Sequence, residues 1–253
     1  MPTTLEVLFA PAEYALLPQR DLRGTICVVF DILRATTSMM SALANGADEI
    51  FPVGEIEEAL AIRRRRPEVL LAGERNGLRI QPAQSGGIDF DLGNSPREFV
   101  AERVRGKTLV MTTTNGTRAL RACAAAEAAF IGTFLGLRAL AGWIETKAPP
   151  QLLLVCAGTV DQASYEDTLA AGALCELIWP VYSSGAIADS AHMARAIYHS
   201  AQGDLLEAMQ SARNGRRLLG HPELRDDVTA SLRRDTIHFV AGLGRDGAVR
   251  RLP

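Results

Sequence analysis

The run Thr25-Ile26-Cys27-Val28-Val29-Phe30 carries six β-favouring residues in a row, with none of the apolar/polar alternation of a half-solvated strand. A strand of that kind is buried on both faces, so it requires a sheet with a layer of helices on each side. Similar short apolar runs recur at 5–9, 49–53, 69–72, 108–111, 128–131 and 152–156. Helical patterns fall between most of them, at 37–45, 55–66, 96–104, 116–126, 135–146 and 165–178. That alternation predicts an α/β fold with a largely parallel or mixed sheet flanked by helices on both faces. After Pro180 the pattern changes to helices at 187–200, 203–219 and 223–233, giving a helix-rich C-terminal part. A last hairpin turns at Arg245-Asp246-Gly247.

In open α/β sheets, ligands bind beyond the carboxyl ends of the strands. Two polar strand-to-helix turns fall there. In the first, Asp31-Ile32-Leu33-Arg34-Ala35-Thr36-Thr37-Ser38 follows the 25–30 run and leads into a helix closed by Asn45-Gly46. Asp31 suits a divalent metal or a nucleophile, while Arg34 and the hydroxyls of Thr36, Thr37 and Ser38 suit an oxyanion. The alternative for Asp31 is a helix N-cap. In the second, Thr112-Thr113-Thr114-Asn115-Gly116-Thr117-Arg118 joins an apolar run to an alanine-rich helix. Hydroxyls, a side-chain amide, a glycine and the free N–H groups of a helix start converge there, and the helix dipole adds positive potential. Thr113, Thr114, Asn115, Gly116 and Thr117 are therefore expected to bind phosphate; the competing reading is a helix cap without a ligand.

Three further polar clusters extend this edge. Glu74 and Arg75 follow the 69–72 run. Asn94 and Ser95 precede Pro96 at the start of a helix, where both also suit ordinary capping. Glu166 and Asp167 open the helix that follows Ala157-Gly158-Thr159, where they also complement a helix dipole. Acidic groups (Asp31, Glu74, Glu166, Asp167) beside oxyanion binders (Arg34, Arg75 and the two Thr-rich turns) describe a metal-assisted phosphoryl site. In that site Asp31, Arg34, Glu74 and Asp167 are the catalytic candidates, and the four carboxylates are the metal candidates. Oxygen donors without a Cys/His set favour Mg²⁺.

At 253 residues the chain has room for one α/β domain over 1–253, or for two closely packed lobes with the site between them. A net charge of −2 argues against a nucleic-acid surface. The basic run Arg63 to Arg66 closes a helical pattern and stops at Pro67, as a solvated helix end does. Cys27, Cys123, Cys156 and Cys175 are widely spaced in apolar settings and read as reduced core residues. His192 and His199 have no third ligand near them in sequence, so packing or surface roles are expected. No stretch reaches membrane-spanning length and the N-terminus lacks a basic leader. A soluble cytoplasmic protein without a membrane partner is expected, with its oligomeric state open.

Five segments, taken in order, resemble the 2-phosphosulfolactate phosphatase (ComB-like) family: Asp31-Ile-Leu-Arg-Ala-Thr-Thr, Ala72-Gly-Glu-Arg, Phe90-Asp-Leu-Gly-Asn-Ser-Pro, Thr112-Thr-Thr-Asn-Gly-Thr-Arg-Ala and Glu166-Asp-Thr-Leu-Ala-Ala-Gly. The resemblance spans about residues 25 to 180, with weaker echoes in Ser211-Ala-Arg-Asn-Gly-Arg-Arg-Leu and at Asp226-Asp227. It implies Mg²⁺-dependent hydrolysis of 2-phosphosulfolactate to 3-sulfolactate, a step toward coenzyme M in methanogens. Two mechanisms are compatible: water activated by metal held at Asp31, or attack by Asp31 itself with an aspartyl-phosphate intermediate. Leu33 stands where haloacid-dehalogenase-like enzymes carry a second Asp, which favours water attack. A non-catalytic binding protein for an anionic metabolite is the alternative from another class, and a phosphatase of another phosphorylated hydroxy acid is the alternative within this one.

Overall fold

The structure is a computed structural model that describes residues 3–252; Met1 and Pro2 of the N-terminal stretch lie outside the described residues. In chain order the strands are β1 (Thr4–Leu8), β2 (Thr25–Phe30), β3 (Glu49–Val53), β4 (Leu70–Arg75), β5 (Leu78–Arg79), β6 (Thr108–Thr112), β7 (Ala128–Gly132), β8 (Gln151–Cys156), β9 (Ala186–Ile187), β10 (Ala241–Leu243) and β11 (Val249–Arg251). The helices are α1 (Pro11–Tyr14), α2 (Ala35–Ala44), α3 (Ile56–Arg65), α4 (Ala101–Val104), α5 (Gly116–Ala122), α6 (Leu137–Lys147), α7 (Tyr165–Tyr182), α8 (Asp189–Ala201), α9 (Leu205–Ser211), α10 (Arg213–Leu219) and α11 (Arg225–Ser231).

All described strands join one mixed sheet in the order β5-β4-β6-β3-β11-β10-β7-β2-β8-β1-β9. Two parallel blocks are visible in it, β4-β6-β3 and β7-β2-β8-β1-β9. The C-terminal hairpin β10-β11 lies between them and pairs antiparallel with both. Three antiparallel steps reverse direction an odd number of times, so the blocks run in opposite senses along the ladder. The ladder must therefore twist strongly through the hairpin, because strand ends from both blocks meet at Asp31 and Gly116.

Every residue of β2 is buried, as its unbroken apolar run requires. Ile26, Val28 and Phe30 face one side with Leu152 and Leu154 of β8, against α6 and α7. Cys27 and Val29 face the other with Leu153 and Val155, against α2 and α5. The two-residue period of a strand thus divides one segment between two cores. Each fully buried aliphatic side chain contributes about 1.5–3 kcal/mol. A smaller cluster of Val53, Leu60, Leu71, Ile80, Phe90 and Val110 covers the remaining face of β3, β4 and β6 with α3. All four cysteines are buried and free.

Several elements differ from the sequence expectation. The strand expected at 69–72 runs on to Arg75 and folds back through Asn76 (φ 55°) and Gly77 (φ 81°) into β5. Two positive φ values in an Asn-Gly pair form the two-residue turn that matches strand twist. The helix expected at 96–104 is a 3₁₀ turn at Pro96–Glu98 followed by the short α4, because Phe99 leaves the helical path to bury itself. The helix expected at 203–219 breaks at Ala212, which is extended (φ −73°, ψ 141°). Gly215 then lies so close to the Met209 carbonyl that a Cβ there would collide with it. The helix expected to end before Pro180 continues to Tyr182, whose hydroxyl donates to the Pro149 carbonyl (2.8 Å). Pro180 sits exposed in that last turn, where it removes one helical hydrogen bond.

Candidate active site

The carboxyl end of β2 delivers Asp31 into a cavity of about 60 Å³ also lined by Arg34, Glu74, Asn94, Asn115, Thr159, Asn214 and Arg217. A larger depression, about 470 Å³, lies at the opposite ends of the strands beside Gly24 and Ala128, and among ionisable side chains it gathers only Arg23, Cys123, Glu127 and Arg245. The chemistry therefore lies at the carboxyl edge.

Asp31 is 9 % exposed. Its Oδ1 accepts from the Ala35 N–H (3.0 Å), so the carboxylate closes the first turn of α2, and the backbone at Gly116 lies directly against it. Gly116 has no alternative here: a Cβ would lie 2.6 Å from Asp31 Oδ2 and 2.7 Å from the Ala35 Cβ. The bare backbone of α5 is what brings the two blocks of the sheet together at this carboxylate. Burial first, then the charges of Glu74 and Glu166, raise the Asp31 pKa to about 7.

The other acidic candidates divide by what their lone pairs already hold. Glu74 Oε1 accepts from both the N–H (2.9 Å) and the hydroxyl (2.8 Å) of Thr114, and Oε2 accepts from the Gly77 N–H (2.6 Å). It therefore ties the β4-β5 turn to the start of α5. Asp167 accepts from the Ile32 N–H (2.8 Å) with Oδ1 and from the Gly158 N–H (3.2 Å) with Oδ2. Its acidity is driven far below that of an ordinary aspartate, first by burial and then by Glu166 and Asp31. Glu166 Oε1 accepts from Asn214 Nδ2 (2.8 Å).

The predicted oxyanion binders behave less uniformly. Thr36 takes the Asp31 N–H and donates to backbone carbonyls, and Thr37 donates to the Ile32 carbonyl (2.9 Å). Thr113 and Thr117 cap one another across the first turn of α5. These four hydroxyls are buried and shape the turns from within. Asn115 donates to the Gly158 carbonyl (3.0 Å) at the cavity wall. Asn94 lines the cavity at 5 % exposure, and its Oδ1 has no hydrogen-bond partner. Ser95 is drawn to Asp227 (2.6 Å). Arg75 turns to Thr112 Oγ1 (3.1 Å) and to the Glu74 carbonyl, outside the cavity lining.

Residues of the helical C-terminal part complete the wall, and reading the turns alone misses them. Arg34 is 3 % exposed; its Nη1 pairs with Asp227 Oδ2 (2.6 Å) and its Nη2 donates to the Gly77 carbonyl. Asp227, fully buried on α11, also accepts from Ser95 and from Arg97 Nε (2.9 Å). Asn214 reaches Thr159 Oγ1 (2.6 Å) as well as Glu166. Asn214, Arg217 and Asp227 fall within the two fainter segments of the resemblance, which is the signal that marks them. His199, by contrast, pairs with Glu176 (2.6 Å) on the outer surface.

Among the described residues no three His, Cys, Asp or Glu side chains form a ready-made metal cage. Mg²⁺ takes one or two carboxylates and keeps several waters, so it does not need one. The donor chemistry fits: Asp31, Glu74 and Glu166 are hard oxygen donors whose mutual repulsion already appears in the raised pKa of Asp31, and a cation relieves it.

A buried carboxylate at a strand end, sharing one cavity with two guanidinium groups, marks the catalytic edge of an α/β enzyme. Residues 12–245 match the family described as 2-phosphosulpholactate phosphatase. The chain belongs to that family and is a phosphoric monoester hydrolase. It is 38% identical over 243 residues to a protein of Caldanaerobacter subterraneus subsp. tengcongensis named "Probable 2-phosphosulfolactate phosphatase", covering 94% of this chain and 95% of that one. Proteins of the same name from Thermotoga maritima and Gloeobacter violaceus are 37% and 35% identical over 207 and 212 residues, covering 82% and 83% of this chain and 84% of each relative. Among the described residues no helix is long and apolar enough to cross a membrane.

Proposed function

We propose that the chain hydrolyses 2-phosphosulfolactate to 3-sulfolactate and phosphate in the cytoplasm, with Mg²⁺ as cofactor. The observation that carries this reading is Asp31, buried at the cavity floor with its pKa raised to about 7. In the metal-free protein this carboxylate already holds a proton more tightly than an ordinary aspartate, the direction a general base requires. Asp31 takes the proton of the attacking water as the water oxygen bonds to phosphorus. The ester P–O bond breaks, and its electron pair leaves on the C2 oxygen, which collects a proton from solvent. Leu33, buried two residues after Asp31, supplies no partner acid for a covalent aspartyl route.

Glu74 and Glu166, the two carboxylates that face Asp31, would hold the Mg²⁺, which when bound supplies charge neutralisation for the phosphoryl oxygens. The protein's own contribution is position. Arg34, immobilised by Asp227, sets one positive wall, and Asn115 and Asn94 offer polar groups beside it. Because phosphate monoester hydrolysis is very slow uncatalysed, this positioning and charge compensation must supply most of the rate. Phosphate release from 2-phosphosulfolactate by the purified protein tests the reading. Turnover is expected with Mg²⁺ and is lost after metal removal by EDTA, returning when Mg²⁺ is restored. Full activity in protein verified as metal-free refutes the cofactor, and no phosphate release under any metal refutes the substrate.

A further inference from the structure

Two guanidinium groups line the cavity, and they differ in how they are held. Arg34 is buried, its charge matched by Asp227 and its second amino group spent on a carbonyl. Arg217, on α10, is exposed, and none of the ion pairs among the described residues involves it. It nevertheless has a defined seat. A Cβ on Gly77 would lie 3.3 Å from Arg217 Nη2 and 3.4 Å from its Cζ, so the guanidinium rests on the bare backbone of the Asn76-Gly77 turn. That turn is itself fixed from below, because Glu74 takes the Gly77 N–H and Arg34 takes the Gly77 carbonyl. Arg217 thus presents an uncompensated charge from a rigid platform, across a cavity whose floor is the Asp31 carboxylate.

We infer that Arg217 is the specificity-determining residue of this site, holding a second anionic group of the substrate away from the reacting phosphoryl group. Resting on the proposed reading, that group is the C3 sulfonate of 2-phosphosulfolactate. The transferred phosphoryl must sit at Asp31, and the carboxylate on C1 lies beside it on the carbon that bears the ester oxygen. The sulfonate projects furthest and stays ionised at every physiological pH. A planar fork with several N–H donors matches its oxygens, and a lysine ammonium would not lie flat on the turn. A free guanidinium gains more from such an anion than one already neutralised, so the loose arginine rather than the buried one carries selectivity.

Two measurements on Arg217→Met separate this inference from the reading beneath it. In the kinetic one, kcat/KM for 2-phosphosulfolactate falls about 10- to 100-fold, the loss of one charge-assisted contact, while that for 2-phospholactate falls less than about threefold. In the binding one, calorimetry compares 3-sulfolactate with lactate, which requires no turnover. The wild-type protein prefers 3-sulfolactate and the variant loses that preference, with Arg217→Lys recovering only part of it. Equal losses for the sulfonated and unsulfonated ligands overturn the inference, because Arg217 then holds a group they share. A preference that survives Arg217→Met, or disappears instead in Arg75→Met, overturns it as well. If 2-phosphosulfolactate is not a substrate but the wild-type preference and its loss are seen, the phosphatase reading fails and the assignment of Arg217 stands.

Discussion

Asp31 works against folding as soon as it ionises, because Glu74 and Glu166 face it and water does not. Its ordinary pKa is 3.8 and its folded pKa is about 7, so the native state binds this proton more tightly than the unfolded chain. The stability associated with it is complete below about pH 4 and is lost as the pH rises through 7. Asp31→Asn in metal-free protein is therefore expected to be more stable than wild type at pH 8, by on the order of 1–3 kcal/mol, with the difference vanishing below pH 4. The same variant should lose about 10³-fold in kcat/KM. Urea titrations at the two pH values and a phosphate-release assay check both halves, and a variant that is destabilised yet active makes Asp31 a helix cap. Gly116→Ala pushes a methyl into Asp31 Oδ2 and should lower kcat/KM at least about tenfold while the far-UV circular dichroism stays native. At this scale the residue types at the strand ends were legible, but hydroxyl partners were not. Thr36, Thr37, Thr113 and Thr117 look alike in sequence whether they meet a ligand or a backbone carbonyl, and only the packed turns show the latter.

Elements that carry their own hydrophobic period were readable, and those set by distant partners were not. The run of β2 and the alternation of strands and helices through α7 identify themselves locally. The break at Ala212 depends on Gly215 meeting the Met209 carbonyl, and the departure from helix at Phe99 depends on a pocket built by other segments. The β4-β5 hairpin carried a readable signal in Asn76-Gly77. The role of α11 did not, because Asp227 acquires its meaning only from Arg34, almost two hundred residues earlier. Asp227 accepts from Arg34, Ser95 and Arg97 at once, so it latches the helical C-terminal part onto the site. Asp227→Asn leaves Arg34 with a buried, unmatched charge and should cost about 3–5 kcal/mol in a urea titration. Replacing both partners, Arg34→Met with Asp227→Leu, should recover much of that stability and none of the activity. If the double variant is as unstable as the single one, the cost lies in the hydrogen bonds that Asp227 takes from Ser95 and Arg97 rather than in an unmatched charge on Arg34.

Across the whole molecule, the question left open by length was whether the chain is one unit or two lobes with the site between them, and the sheet order supplies a physical test. The blocks β4-β6-β3 and β7-β2-β8-β1-β9 join through β10 and β11, whose contacts with β7 and β3 are short. Asp31 comes from one block, and Glu74 and Gly116 come from the other. If the hairpin couples them, loosening it must loosen both together. Val249 pairs with Ile50 of β3 and is fully buried in a cluster shared by both blocks, so Val249→Ala removes contacts at the seam without touching the cavity. Its expected cost is about 1–3 kcal/mol, from lost burial plus the cavity left behind. Each block has its own reporter. Trp143 on α6, edge-on to Phe130 of β7, and Trp179 on α7 follow the larger block by fluorescence, while amide exchange in β6 follows the smaller. In the variant both reporters should shift by the same free energy and catalytic activity should fade along the same urea curve, because the site exists only while the two blocks stay joined. A β6 that exchanges early while tryptophan fluorescence keeps its wild-type midpoint shows two separately stable lobes. The hairpin is then a tether rather than the seam of a single sheet.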